Sequence, residues 1–281
     1  MCRNENRQRG HAREAGFTLV ELLVVMSIVA LLMGVLLPVL GLAREAVRRI
    51  HCSSNLKSLT MGWLMYAGDN NDRMCSADTG YGDGGEWPWA VAESNTKGTQ
   101  RELTDGALWS YVARQANIYK CKSDRTKLVR SYSLSRAMNG KHCDCEYDNR
   151  DNLRRWMIYT RIPKPGAKLV FIDAGSREKW IEGSFNPIKD VSEPRSQLRW
   201  SIEENRNISA RHSGGCNTSF ADGHCEHWKY KDRRTIEMAN WRMNCNTASG
   251  DNTDIEYLVT LLTGGKHYLP DQHFPYGYTG D

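Results

Sequence analysis

The chain has 281 residues, a formal net charge of +5, a pI near 8.7 and nine cysteines. That length allows one or two domains with an ample core, and so mild a basicity implies no particular partner. No CxxC pair exists, and the closest pair, Cys143-Asp144-Cys145, is too tightly spaced for a typical structural zinc knuckle.

Residues 1–16 are polar and lack an apolar run of their own, so they read as a leader outside the fold. Arg3, Arg7, Arg9 and Arg13 stand against Glu5 and Glu14, a net of +2 that leaves the rest of the chain near +3. From Phe17 to Leu40 the sequence is almost continuously apolar for 24 residues. As a helix this stretch is about 36 Å long, enough for a hydrocarbon layer of about 30 Å, so one membrane span is expected. Its single charge is Glu21, and a carboxylate in a bilayer core costs about 2.5–3.5 kcal/mol, so something must compensate it. Pro38 removes a backbone hydrogen bond and is expected to bend the helix. The leader arginines face Arg44, Arg48 and Arg49 across the span, which leaves the positive-inside rule nearly balanced. The eight cysteines beyond the leader favour an oxidising compartment for the remainder of the chain.

After Pro38 the pattern turns amphipathic. Leu42, Ala46, Ile50, Ser53, Leu56, Leu59, Trp63 and Tyr66 recur at helical spacing, and Gly68 followed by Asp69-Asn70-Asn71-Asp72 is a stop signal, which predicts one helix from about Thr18 to Ala67. Residues 80–100 read as an irregular loop, in which Trp87-Pro88-Trp89 serves packing in preference to a sugar-binding platform. Leu108, Trp109 and Val112 form a short apolar face. Residues 141–156 read as a polar insertion around Cys143 and Cys145, Lys168–Asp173 is the best strand, and residues 176–208 show no clear period.

Arg211 to His224 reads as a β-hairpin whose Asp222-Gly223 suits a type I′ turn, with Ala221 facing His224, Phe220 facing Cys225 and Cys216 opposing Lys229. A Cys216–Cys225 bridge is not expected from that register. For His212, Asp222 and His224 the leading reading is structural, with the His212 ring on the turn or on Asp222. A metal site from His212, Asp222, His224 or His227 and a catalytic dyad are the competing readings, although no nucleophile elbow completes the latter. No catalytic residue or cofactor is expected. Zinc at the histidines, or calcium at Asp69–Asp72 or Asp251–Asp254, are the two ions the residue types admit. Beyond Trp228 the chain is basic, and Asp254 is expected to cap a helix through Ile255, Leu258, Val259 and Leu262 that ends at Gly264-Gly265.

Gly16-Phe17-Thr18-Leu19-Val20-Glu21 ahead of the apolar run resembles the N-terminus of type IV prepilins and of type II secretion pseudopilins. The resemblance implies cleavage after Gly16, methylation of Phe17, and Glu21 as the acid that neutralises the new ammonium on an adjoining subunit. Asn55–Ser58 to Asn70, Gly106–Val112, Tyr119–Asp124 and the spacing His212, nine residues, Asp222-Gly223 resemble a large bacterial group of prepilin-like proteins with an H-x9-DG signature. A disulfide from Cys52 or Cys75 to Cys121 would tie helix to head, with a gain of about 3–5 kcal/mol.

The implied fold is α+β and pilin-like, a long N-terminal helix laid on an antiparallel sheet. The implied organisation is a leader (1–16), the transmembrane and amphipathic helix (17–68), a head carrying the hairpin (69–232) and a C-terminal extension (233–281). The implied role is a structural subunit of a type IV pilus or type II secretion pseudopilus. Its partners are other pilin-like subunits, the prepilin peptidase/methyltransferase and the inner membrane, with no small-molecule substrate and no nucleic acid. The leader is cytoplasmic and the head periplasmic until assembly carries it into a fibre. Two alternatives stay open: a periplasmic enzyme or metal-binding protein exported by a signal peptide cut after Gly41-Leu42-Ala43 and using the His212/Asp222 region, and a minor pilin for DNA uptake.

Overall fold

The computed structural model describes residues 17–80, 87–92, 96, 98–140, 155–175, 183–185, 207–240 and 250–263. The leader, Cys143, Cys145 and Gly264-Gly265 lie outside the described residues. Two compact units divide between Arg44 and Glu45.

The first unit holds the start of helix α1 (Leu19–Asp69), which runs continuously through Pro38 as one helix. Its large apolar side chains from Phe17 to Leu42 are exposed, and the helix is long and apolar enough to cross a membrane. Lipid or a neighbouring apolar helix would accommodate an exposed surface of that composition.

In the second unit α1 becomes one-sided. Cys52, Asn55, Leu56, Leu59, Thr60, Trp63 and Ala67 are buried, at the three-to-four-residue spacing of one helix face. The predicted stripe holds from Leu56 onward and fails before it, because Ile50 is exposed. Leu56 lies six positions after Ile50, which turns Ile50 about a third of a circle off the buried face.

The sheet beneath α1 comprises β1 (Tyr132–Ser135), β2 (Leu169–Gly175), β3 (Ser184–Phe185), β4 (Asn207–Ile208), β5 (Gly215–Phe220) and β6 (Cys225–Lys229). Its order is β3-β1-β2-β5-β6, with β4 on β2. The architecture is α+β, and the expectation of a wholly antiparallel sheet is corrected at one edge, where β1 and β3 pair in parallel through Leu134↔Ser184 and Ser135↔Phe185. β2 is buried along its whole length, as its unbroken apolar run requires of a central strand. The Thr60 and Ser219 hydroxyl oxygens lie 2.7 Å apart between α1 and β5, and Asn217 Nδ2 donates to the Arg49 carbonyl at 3.2 Å. Gly62 admits a close neighbour, since a Cβ there would stand 3.0 Å from Val112 Cγ1. Trp89 belongs to the core, its indole N–H shared between the Ala77 and Gly183 carbonyls, whereas Trp87 is half-exposed.

The β5–β6 hairpin is shifted by one residue from the predicted register. Ser219 opposes Cys225 and Cys216 opposes Trp228, leaving Ala221, Asp222 and Gly223 as a three-residue loop. Only Gly223 takes a positive φ there, +90°, while Asp222 uses its carboxylate to accept from the His224 amide at 3.1 Å. The extra loop residue brings Phe220 opposite His224, and their rings stack at 4.2 Å. A one-turn helix α2 (Arg101–Thr104) precedes β1 in the chain, and two helices follow β6, α3 (Arg233–Ala239) and α4 (Thr253–Thr263). Asn252, not Asp254, caps α4, its side-chain oxygen accepting from the Asp254 and Ile255 amides at 2.9 and 3.3 Å. The Asp254 carboxylate turns instead to the amides of Lys231 and Asp232.

Candidate functional site

The N-terminal site is built by the first turn of α1. Thr18 Oγ1 accepts from the Glu21 amide at 3.2 Å, and Glu21 Oε2 accepts from the Thr18 amide at 2.9 Å and the Thr18 hydroxyl at 2.8 Å. This reciprocal capping box satisfies two donors at the end of the helix and starts it immediately after Phe17. Glu21 thus has a local partner within its own chain. The Thr18-x-x-Glu21 spacing would have revealed that partner in the sequence. The carboxylate also lies at the positive end of the helix dipole, where an anion is favoured. Gly16 is outside the described residues. Phe17 is exposed, as are the large apolar side chains that follow it as far as Leu42.

A second site lies in the head, around His212. Its side chain is fully buried. Nδ1 lies 2.9 Å from Glu45 Oε1 on α1, and Nε2 lies 3.4 Å from Cys121 Sγ and 3.5 Å from Asp173 Oδ2 at the end of β2. Burial works against a charge on the ring, yet the Cys121 contact, the Asp173 carboxylate and the Glu45 hydrogen bond outweigh it and raise its pKa to about 9. Burial in turn pushes the Asp173 carboxyl up, against the pull of His212 and Arg211. Next along the chain, the Arg211 guanidinium donates to the Ala174 carbonyl and lies 3.6 Å from Asp124 Oδ2 and 4.0 Å from Asp173 Oδ1. Burial alone would raise the Asp124 carboxyl, but Arg211 and the hydrogen bonds from Ser131 and Thr126 hold it at about 2. Four cations (His212, Arg211, Lys120 at 3.0 Å from Asp124, and Arg48 at 3.9 Å from Glu45) meet three carboxylates (Glu45, Asp173 and Asp124). This network, buried at its centre, fixes how α1, β2 and the turn before β5 meet.

The predicted contact of His212 with the turn or with Asp222 is therefore corrected. The six-residue strand β5 lies between the two, about 20 Å at the extended rise. Asp222 pairs instead with His224, Oδ1 to Nδ1 at 2.5 Å, on the exposed tip. The donors of His212, Asp222 and His224 do not converge. Among the described residues the donor atoms that do converge are Cys52, Cys121 and His212, all within 4.8 Å of one another. Of the two candidate partners for Cys121, the structure brings Cys52, not Cys75, to its sulfur. The polar stretches weighed for calcium serve turns and caps: Asp69 accepts from the Tyr111 hydroxyl at 3.1 Å, Asn71 and Asp72 take positive φ, and Asn252 and Asp254 are engaged as described above. Glu45, Asp173 and Arg211 escaped the sequence reading, since each meets His212 or its neighbours only through tertiary packing.

Comparison with known families places the prokaryotic N-terminal methylation motif on residues 11–37. The match spans the Gly16/Phe17 junction, Thr18, Glu21 and most of the apolar stretch of α1, and it supports a protein of the prepilin/pseudopilin type. No curated protein and no solved structure matches the chain.

Proposed function

We propose that this chain is a structural subunit of a type IV pilus or type II secretion pseudopilus, cut after Gly16, methylated on Phe17 and assembled through the first half of α1. The observation that carries this reading is the juxtaposition of the methylation motif with an apolar helical segment whose large side chains are exposed among the described residues. A helix of that composition needs lipid before assembly and apolar neighbours after it. Cleavage converts the Phe17 amide into an ammonium one residue before Thr18. The Glu21 carboxylate of an adjoining subunit then exchanges its capping-box partners for that cation, a pairing that fixes register between helices. The head stays on the periplasmic side, and its charge network keeps it rigid on the helix that carries it.

Glu21→Ala tests the assignment. The variant should insert in the membrane and be processed at Gly16, yet fail to co-purify with other pilin-like subunits or enter sheared fibres. Incorporation at the level of the unaltered chain would contradict the role given to Glu21. Glu21→Gln separates charge from capping, because the amide retains an acceptor for Thr18 but offers no countercharge to an ammonium.

A further inference from the structure

The sulfurs of Cys52 and Cys121 stand 2.7 Å apart in the interior of the head, 69 residues apart in sequence, with both residues essentially inaccessible to solvent. That separation is well inside the contact distance of two unbonded sulfurs. It also disfavours a metal as the reason for the cluster. A tetrahedral zinc with Zn–S bonds of about 2.3 Å holds its two sulfurs about 3.7 Å apart, and the obvious fourth donor, Asp173 Oδ2, already accepts from the Asn217 amide at 2.8 Å. The surroundings are arranged for a fixed joint. Asn55, one turn beyond Cys52, donates from Nδ2 to the carbonyls of Asn117 and Lys120 at 3.2 and 3.0 Å, which holds the chain just ahead of Cys121 against α1.

We infer that Cys52 and Cys121 form a disulfide that clasps the amphipathic half of α1 to the head. Each thiol gives up its hydrogen and an S–S bond forms. The two electrons pass to an incoming disulfide, of an oxidoreductase or a small molecule, whose sulfurs depart as two thiols. Because both sulfurs are buried, this exchange takes place before the head closes on the helix, and the finished bond is sheltered from reductants. Glu45 and Cys52 are seven residues apart, two helical turns along one face, so the clasp and the Glu45–His212 contact fasten the same side of α1. A subunit pulled by its helix into a fibre would then keep its head packed on the amphipathic half of α1 by a bond additional to the backbone.

The full-length protein, extracted in detergent without reductant and alkylated under denaturing conditions, provides the test. Trypsin cuts after Arg49, Lys57, Lys120 and Lys122, so the bond predicts peptide 50–57 joined to 121–122 at the sum of their masses less two hydrogens. A phosphine reductant should abolish that species, and labelling of Cys121 should go from absent to complete. Cys75→Ser should leave the linked peptide unchanged, and Cys52→Ser should free Cys121 for labelling. Recovery of both cysteines alkylated without reduction, a link from either to another cysteine, or zinc released stoichiometrically as both become reactive, would overturn the inference.

Discussion

Replacing Glu45 or His212 tests the account of the head, because the two residues lie 167 positions apart in sequence and meet in one contact. At 2.9 Å, an imidazolium–carboxylate pair screened by an effective dielectric near 20 is worth about 6 kcal/mol before desolvation. Water is lost entirely by His212 and in part by Glu45, whose side chain keeps 25% of its exposure. After that cost, a hydrogen bond to a charged group contributes about 1.5–3 kcal/mol. His212→Ala should destabilise the fold by about 3–5 kcal/mol, since it also leaves Asp173 buried beside a hole. Glu45→Gln should cost less, and the double variant should show a coupling of about 1.5–3 kcal/mol. The assay is denaturant unfolding of the full chain in detergent, followed by tryptophan emission, at pH 6.5 and pH 10. The coupling should be present at the lower pH and absent at the higher one, where the ring is neutral. Additive losses at pH 6.5, or a coupling indifferent to pH, would refute the contact as the fastener of helix to head.

Two further outcomes follow from the same network and core. With Cys121 held in the disulfide, Asp173 and Glu45 remain to raise His212 above its ordinary 6.5, so its contribution is whole below pH 6.5 and lost as pH rises through the raised value; Asp124, held at about 2, contributes above its ordinary pKa of 3.8 and loses about 2 kcal/mol as pH falls toward 2, so melting temperature should peak between pH 4 and 6.5. On α1, Trp63→Ala removes a fully buried ring packed edge-on against Tyr159 and should cost about 3–5 kcal/mol, whereas Met61→Ala, on the exposed side of the same turn, should shift stability by about 0.5 kcal/mol or less in chemical denaturation.

Much of the fold was legible because it depends on local pattern. The apolar run and its amphipathic sequel specified α1 to within two residues of each end, and the unbroken run at Lys168–Asp173 specified the central strand β2. Reading Leu56, Leu59 and Trp63 as the packed face succeeded because they lie over the sheet; Leu42 and Ile50 share their hydrophobicity but not their neighbours. The hairpin was located correctly and misregistered by one residue, since Asp222 can satisfy its turn with its side chain instead of a positive φ. The two-residue parallel pairing of β1 with β3 is too short to leave a pattern. The helix α3 carries its one local signal in Asp232, which accepts from the Arg234 amide at 2.8 Å, within a stretch whose sequence otherwise shows only basic charge.

The head site was legible only in part, for a different reason. His212 stood out by its spacing to Asp222-Gly223, but no sequence rule says which buried acid a histidine will meet. Glu45 and Asp173 come from a helix and a strand far away in sequence, and only the packing of α1 across β2 and β5 brings them together. Cys52 and Cys75 are both fully buried, so the choice between them as partner of Cys121 needed the tertiary packing that brings α1 and Cys52 to its sulfur.

Intact-mass and N-terminal fragment analysis of the protein purified from membranes tests the central claim most directly. The account predicts a chain that begins at Phe17 and carries a methylated amine. A chain that retains Met1 under every growth condition, or one that begins at Arg44, would contradict it.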